Sequence, residues 1–282
     1  MYICNPTCSS GNPVPDSNYY STEGHLSHGT RVAWVLAGDL RDNQDENITI
    51  DYEKQDRSGI CPECGIRLYR PEPFTAQVIN AMDHADSSGS DLIVASLGAE
   101  ENCSGTSLTS LQANESFKNG IISVVAIGNG NHHGDCNVMA PADATSSLAI
   151  GAHGNGGDDT ITELDNSSPL DSSPTFGTAK GGHTYYSTRT RTIVDLLTPG
   201  FAKYYPLYYD NDGYETGSHN STSMAAPKAA AALMDLMHER YNDGSSVIHY
   251  PGVQKVLMLL MGDRATGDGS THLVSSFSDI WG

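Results

Sequence analysis

The sequence predicts an α/β fold in which a parallel sheet is covered by helices on both faces. Residues 91–97 and 121–127 are apolar runs typical of buried strands, and residues 75–85 and 107–118 have the apolar spacing of helices. Strand and helix alternate at the spacing of right-handed βαβ units. The chain has 282 residues without an internal repeat or a clean linker, so we expect one domain over residues 1–282.

The remaining elements follow in chain order. Residues 1–27 lack apolar periodicity and are expected to be irregular. A helix is predicted from His28 to a stop near Gly38, followed by a polar loop over 39–60. Beyond residue 127 the pattern predicts further strands and helices, which are strands 148–151 and 193–197 and helices 222–240 and 251–261.

The composition excludes several classes of function. The chain has 15 Lys and Arg against 34 Asp and Glu, for a net charge of −19. A protein of this charge lacks the basic face that nucleic acid requires, so we expect no nucleic-acid partner. No apolar run approaches the roughly 18 residues that a transmembrane helix needs, so no membrane span is predicted.

Cysteines and glycosylation sequons indicate a secreted or extracellular protein. The chain has six cysteines, an even number. It also has Asn-x-Ser/Thr sequons at Asn47, Asn102, Asn114, Asn166 and Asn220. Both features are typical of secreted proteins, although the first residues lack the basic start and apolar core of a signal peptide.

Three segments carry candidate chemistry. A histidine begins a helix in SHGTRVA (27–33), a strand runs into Gly-Asn-Gly in VVAIGNG (124–130), and a serine precedes an alanine-rich helix in NSTSMAAP (220–227). Taken singly, the histidine is more readily read as an exposed residue and Gly-Asn-Gly as a turn, and the serine can be read as an ordinary helix N-cap. Their other reading is a nucleophile at the positive end of a helix and an amide suited to an oxyanion hole.

The order of the three segments resembles the subtilisin-like serine proteases, or subtilases. DLIVASLG (91–98), LAIGA (148–152) and VDLLTPG (194–200) fall in register with the same family. The resemblance covers about residues 25–262 and implies a three-layer subtilisin-like fold with a mostly parallel central sheet. It also implies a serine endopeptidase whose partners are peptide or protein substrates, and a propeptide or inhibitor.

The resemblance assigns roles to particular residues. Ser223 would attack the scissile carbonyl, His28 would take its proton, and Asn129 with the Ser223 N–H would hold the oxyanion. The walls of the primary specificity pocket would be Ser96, Leu97, Gly98, Ala126 and Gly128. Met139 would lie near the pocket floor, where Asp135 and Asp143 are the nearby acids, and we expect an apolar or small side chain at the cut site.

The chain departs from the family at the catalytic acid. Asp16 is the only aspartate before His28, but Pro13 and Pro15 would break the strand on which the family carries this residue. We therefore expect the first core strand and its aspartate to be missing from this chain. The alternative is a catalytically impaired protein of subtilase fold that binds peptides. Ser221 stands where the family usually has glycine, and a Cβ at this position could crowd the cleft.

Two parts of the sequence are candidates for metal binding. Cys61 and Cys64 form a CxxC motif that could join Cys4 and Cys8 in a zinc site or in two disulfides, and the disulfides are favoured in a secreted protein. A bridge between Cys103 and Cys136 is expected as well. No metal or cofactor is needed for the chemistry, while the oxygen-rich segment 210–215 suggests structural calcium.

Overall fold

A computed structural model of the chain describes residues 3–4, 28–38, 59–69, 71, 75–99, 104–129, 138–153, 195–202, 206–210, 213–216, 219–242, 250–261, 263–265 and 272–274. Within these residues lie five helices, which are α1 His28–Ala37, α2 Thr75–Ser87, α3 Leu108–Lys118, α4 Thr222–Asn242 and α5 Pro251–Met261. No described helix has the length and apolarity needed to cross a membrane.

The strands form one main sheet and several short pairs. The strands of the main sheet are β3 Leu92–Ala95, β4 Ile122–Ala126, β5 Leu148–His153, β6 Leu196–Pro199, β11 Asp263–Ala265 and β12 His272–Val274. The short pairs are made by β1 Ile3–Cys4, β2 Leu68–Tyr69, β7 Phe201–Ala202, β8 Pro206–Asp210, β9 Gly213–Thr216 and β10 His219–Asn220. The main sheet has the order β11-β12-β6-β5-β4-β3 and is parallel from β12 to β3.

Helices cover both faces of this sheet. On one face Val124 of β4 and Ile150 of β5 pack against Ala229 of α4, in a cluster that also contains Met258 of α5. Side chains of the other face belong to separate clusters, one of which joins Ile93 to α2 and α3. The strands are apolar on both faces because both faces are buried. The predicted α/β class with a mostly parallel central sheet is therefore confirmed.

Helix α4 is buried through a run of alanines. Ala225, Ala226, Ala229 and Ala230 are fully buried against the sheet. Because these side chains are so small, the helix backbone lies close to the strands. This close packing fixes the first turn of α4 against the sheet, near the ends of β3 and β4.

Helix α1 packs against the first turn of α4, and residues 59–61 form hydrogen bonds to the C-terminal end of α1. Val35 of α1 forms a cluster with the fully buried Met224. Backbone N–H groups of Gly59, Ile60 and Cys61 donate to the carbonyls of Gly38, Val35 and Leu36, respectively, at 2.7–3.2 Å. The last carbonyls of α1 are thus satisfied by a segment that the sequence predicted only as the end of a loop.

The sequence-based elements differ from the structure in two respects. Within the 1–27 segment that was expected to be irregular, Ile3 and Cys4 form a strand parallel to Leu68–Tyr69. Residues 5–27 lie outside the described part. The antiparallel hairpin of β8 and β9 was not predicted at all.

An apolar cavity of about 480 Å³ lies beside β3. Its walls include side chains of α1, α2 and the residues around β2, among them Val32, Leu36, Val78, Met82 and Leu68. Among the described strands, β3 is the last on this side of the sheet. The predicted absence of a preceding core strand stays a prediction.

We predict that Ile150→Ala lowers the free energy of unfolding by about 2–5 kcal/mol, because Ile150 of β5 is fully buried against α4. Val256→Ala is the matched control, since Val256 is 53% exposed on α5 and should change stability by less than about 0.5 kcal/mol. Urea denaturation of both variants measures the difference. Equal effects would contradict the placement of the core.

Candidate active site

Ser223 lies in the first turn of α4. The helix begins at Thr222, and the carbonyl of Ser221 accepts the N–H groups of Met224 and Ala225 at 3.1 and 3.3 Å. Ser223 is therefore the second helical residue, which rules out the ordinary N-cap alternative. Its backbone N–H is one of those that have no partner within a helix, at the positive end of the helix dipole.

The carbonyl of Ser223 is satisfied from outside its helix. Pro227 stands four residues later, where a helix would supply an N–H, and proline has none. Ser96 supplies the missing donor, because its Oγ donates to the Ser223 carbonyl at 2.8 Å. The end of β3 and the first turn of α4 are thus fastened together at the candidate nucleophile.

The Ser223 hydroxyl also turns toward β3. Its Oγ donates to the carbonyl of Ser96 at 3.5 Å, a long and therefore weak hydrogen bond. Ser223 is buried, with 6% of its surface exposed. In the described part of the chain no hydrogen bond joins Ser223 to His28.

Thr222 fixes the orientation of the Asn129 amide. The backbone N–H of Thr222 donates to Asn129 Oδ1 at 3.0 Å, and the Thr222 hydroxyl lies 2.9 Å from the same oxygen. That hydroxyl also donates to the carbonyl of Gly128 at 3.0 Å. Since Oδ1 is held by Thr222, the Nδ2 group of Asn129 points away from it as an available donor.

Gly128 is required by the backbone turn that leads from β4 to Asn129. Its φ is +104°, in a region that side chains rarely allow. The strand ends two residues earlier at Ala126, and Asn129 itself is exposed. A donor amide at the carboxyl end of a parallel strand lies on the edge where such sheets bind ligands.

His28 is the first residue of α1 and is exposed to solvent. The packing of Val35 on Met224 brings α1 against the helix that carries Ser223. Neighbouring protein removes part of the hydration of the imidazole, which lowers its pKa, and the positive charge of Arg31 lowers the pKa further. Both effects favour the neutral imidazole, the form that can accept a proton.

The described residues identify no acid for His28. Asp16 lies outside the described residues. Among the described residues, no carboxylate contributes to the pKa of His28. The group that would orient the imidazole stays unassigned.

The predicted pocket walls lie at the ends of β3 and β4. Ser96 is half-buried, whereas Leu97 and Gly98 are exposed. Ala126 is 4% exposed and its side chain packs in the core with α4, while Gly128 is buried. The side chain of Met139 lies close to both Gly98 and Gly128.

Asp143 and Ser221, both named near the cleft from the sequence, are buried. Asp143 is buried, and its carboxylate accepts the Gly105 N–H at 2.9 Å and the Ser110 hydroxyl, so it holds the start of α3. Ser221 is 1% exposed, directly before the start of α4. The crowding of the cleft by its side chain stays a prediction. Asp135 lies outside the described residues.

The candidate metal ligands are distributed differently from a zinc site. Cys61 and Cys64 are joined to each other by a disulfide, which removes two of the four thiolates that zinc would need. Cys8, Cys103, Cys136 and the side chain of Cys4 lie outside the described part, as do the side chains of segment 210–215. Among described side chains, no group of three His, Cys, Asp or Glu is placed to bind a metal.

The fold and the site together define the class of this protein. The model of the Subtilase family, Peptidase_S8, matches residues 6–265. The chain therefore belongs to the subtilase family, a family of serine proteases. A search of curated proteins found no match.

Solved structures agree with the fold. A cold adapted subtilisin-like serine proteinase is 21% identical with a TM-score of 0.57, over 88% of this chain and 73% of that one. Sphericase is 20% identical with a TM-score of 0.56, over 83% of this chain and 69% of that one. The prenylagaramide maturation protease PagA is 18% identical with a TM-score of 0.55, over 87% and 75%. The three-layer subtilisin-like fold is thus shown.

We predict that Ser96→Ala lowers the free energy of unfolding by about 1–3 kcal/mol, because the Ser223 carbonyl then loses its partner. Ser87→Ala is the matched control, since its hydroxyl bonds the His84 carbonyl on an exposed surface and its loss should cost less than about 0.5 kcal/mol. Thermal and urea unfolding measure both. A neutral Ser96→Ala would show that the carbonyl finds another donor.

We also predict that Arg31→Gln raises the pKa of His28. Removing the positive charge makes protonation of the imidazole easier, so the protonated form persists to higher pH. An NMR titration of the ring protons, assigned with His28→Gln, measures the shift. Arg67→Gln is the control that should leave it in place, and a downward shift in Arg31→Gln would contradict the electrostatic explanation.

Proposed function

We propose that this chain is a serine endopeptidase that cleaves peptide bonds through an acyl-enzyme at Ser223. The observation that carries the proposal is the pair formed by Ser223 and Asn129 across the end of the sheet. Thr222, adjacent to the nucleophile, holds the Asn129 oxygen, so the nucleophile and the oxyanion donor are parts of one hydrogen-bonded unit. Membership of the subtilase family supports a serine protease in general.

The reaction follows from these groups. Ser223 Oγ forms a bond to the scissile carbonyl carbon while His28 accepts the hydroxyl proton. The carbonyl oxygen becomes an oxyanion, which accepts hydrogen bonds from Asn129 Nδ2 and the Ser223 N–H. The C–N bond then breaks as His28 returns the proton to the leaving amine. Water, activated by His28, hydrolyses the ester and restores the serine.

The Ser223 hydroxyl would have to turn for the first step. In the structure it donates weakly to the Ser96 carbonyl at 3.5 Å. Such a long hydrogen bond is easily exchanged for one to His28. The stronger bond from Ser96 Oγ to the Ser223 carbonyl leaves the backbone in place while the side chain rotates.

A second candidate is a catalytically impaired protein that keeps the fold and binds peptides in the cleft. It is favoured by one observation, namely that no described carboxylate contributes to the pKa of His28. Without an acid the imidazole is poorly oriented, and an equivalent loss in another serine protease lowers turnover by about 10⁴-fold. The two candidates differ in the reactivity of Ser223.

The partners and the setting belong to the same proposal. A peptide or protein chain would lie along the ends of β3 and β4, with a propeptide or inhibitor as a further partner. A similar structure, titled PatG macrocyclase in complex with peptide, holds a peptide. Secretion is supported by the six cysteines and the Cys61–Cys64 disulfide. No cofactor is required for these steps, and calcium would be structural.

Fluorophosphonate labelling tests the proposal. We expect the purified chain to be modified at Ser223, with the site mapped by mass spectrometry. Ser223→Ala should abolish the adduct, while Ser221→Ala, which changes a neighbouring buried serine, should retain it. A folded chain that does not react at Ser223 would reject the endopeptidase and leave the peptide-binding protein.

We predict that Asn129→Ala lowers turnover of a peptide substrate by about 10²–10³-fold, a magnitude known from an oxyanion-hole asparagine in a subtilisin. KM should change little, because the lost hydrogen bond forms chiefly in the transition state. Asn119→Ala, at an exposed asparagine after α3, is the control and should keep full turnover. An equal rise in KM with unchanged turnover would place Asn129 in substrate binding.

A further inference from the structure

We propose that Asn129 is a site of spontaneous modification, at which the side-chain amide is converted to aspartate or isoaspartate. The sequence places a glycine directly after Asn129, and a residue without a side chain hinders such a conversion least. Gly130 lies outside the described residues, and only its covalent bond to Asn129 and its lack of a side chain matter for the reaction. The modification does not depend on the proposed function, whereas its effect on turnover does.

The reaction joins the side chain of Asn129 to the peptide nitrogen that follows it. This nitrogen loses its proton to a base in solution and forms a bond to Cγ, which turns Oδ1 into the oxyanion of a tetrahedral intermediate. The Cγ–Nδ2 bond then breaks, Nδ2 takes up a proton and leaves as ammonia, and a cyclic imide remains. Water opens the imide at either carbonyl. In total a water is consumed and an ammonia is released, without any change of oxidation state.

Thr222 supplies the donors that this oxyanion needs. Its backbone N–H donates to Asn129 Oδ1 at 3.0 Å, and its hydroxyl oxygen lies 2.9 Å from the same atom. The hydroxyl has a single proton for Oδ1 and for the carbonyl of Gly128 at 3.0 Å, and a negative charge developing on Oδ1 draws the proton there. Thr222 is also the first residue of α4, so its N–H lies at the positive end of the helix dipole.

The hydrogen bonds that orient the Asn129 amide therefore also activate it. Donors that are already in place stabilise an oxyanion more than they stabilise the neutral carbonyl from which it forms. The leaving nitrogen is on the accessible side, because Asn129 is exposed and its Nδ2 points away from Thr222. Ammonia can depart into solvent, and water can reach the imide.

Another Asn-Gly pair, Asn119-Gly120, lies wholly within the described residues and provides an internal comparison. Asn119 caps the C-terminal end of α3, where the helix dipole is negative and opposes an oxyanion. The N–H of Gly120 donates to the carbonyl of Phe117 at 3.1 Å, so the attacking nitrogen is already engaged. We therefore expect the fold to protect Asn119 and to activate Asn129.

Conversion of Asn129 removes the oxyanion donor of the proposed protease. A carboxylate has no N–H, and its negative charge opposes the charge that develops on the substrate carbonyl oxygen. Each converted molecule should lose at least the turnover expected for Asn129→Ala, which is about 10²–10³-fold. The loss is irreversible, so turnover declines as the chain ages.

The experiment follows deamidation during incubation of the full chain at mildly alkaline pH. Peptide mapping by mass spectrometry measures conversion at Asn119 and Asn129 separately. In the folded chain we expect Asn129 to convert about tenfold or more faster than Asn119, and in urea we expect similar rates at the two sites. Gly130→Ala should slow conversion at Asn129 in both conditions. If folded Asn129 converts no faster than Asn119, or more slowly than it does in urea, the inference is overturned.

Variants of Thr222 test the origin of the reactivity. Thr222→Val removes the hydroxyl and should slow conversion of Asn129 by about tenfold or more, while Thr222→Ser keeps the hydroxyl and should retain the rate. Faster conversion in Thr222→Val would show that Thr222 protects the amide by restraining it, which contradicts the inference. If circular dichroism shows that Thr222→Val does not fold, the comparison of Asn119 with Asn129 in the unmodified chain decides.

Ser223→Ala protein separates this inference from the proposed function. It lacks the nucleophile of the proposed protease but keeps Thr222 and Asn129, so it should convert at the rate of the unmodified chain. Conversion at that rate supports the inference even if the unmodified chain cleaves no peptide. Conversion that requires Ser223 would mean that the reaction is not the spontaneous one and would overturn the inference.

Discussion

The hydrogen bonds between Thr222 and Asn129 are the constraint on which the rest of the site depends. They join the end of β4 to the first turn of α4, through two residues that are 93 positions apart in sequence. The Ser96 hydroxyl makes the equivalent connection from the end of β3 to the Ser223 carbonyl. Because β3, β4 and α4 are each fixed by the core, these few polar contacts set the position of Ser223 relative to the Asn129 amide.

Small residues make this arrangement fit. The alanines of α4 allow the helix to approach the sheet, and Gly128 allows the chain to turn directly after β4. Pro227 removes the N–H that would bind the Ser223 carbonyl, and Ser96 then supplies the donor from another strand. Met139 packs in the space that Gly98 and Gly128 leave open at the ends of β3 and β4.

The sequence predicted the elements of the core well because both faces of the sheet are buried. Apolar runs such as 121–127 leave no other reading at that spacing, and the motifs around His28, Asn129 and Ser223 fell at element ends as expected. It failed where pairing between distant segments decides the structure. The hairpin of β8 and β9 encloses the oxygen-rich segment that was read as a calcium site, and the contacts of Asp143 with Gly105 and Ser110 have no local signal. The hydrogen bond from Ser96 to the Ser223 carbonyl did have a local sequence signal. A proline four residues after a serine leaves the carbonyl of that serine without a helical donor.

The most direct test of the account is a double-mutant cycle between Thr222 and Asn129. The readout is the rate constant for fluorophosphonate labelling of Ser223 in Thr222→Val, Asn129→Ala and the double variant. If Thr222 acts by holding the Asn129 amide, the double variant reacts within about twofold of Asn129→Ala, because the second change removes nothing further. Rate losses that multiply would show that the two residues act independently and would contradict the central claim.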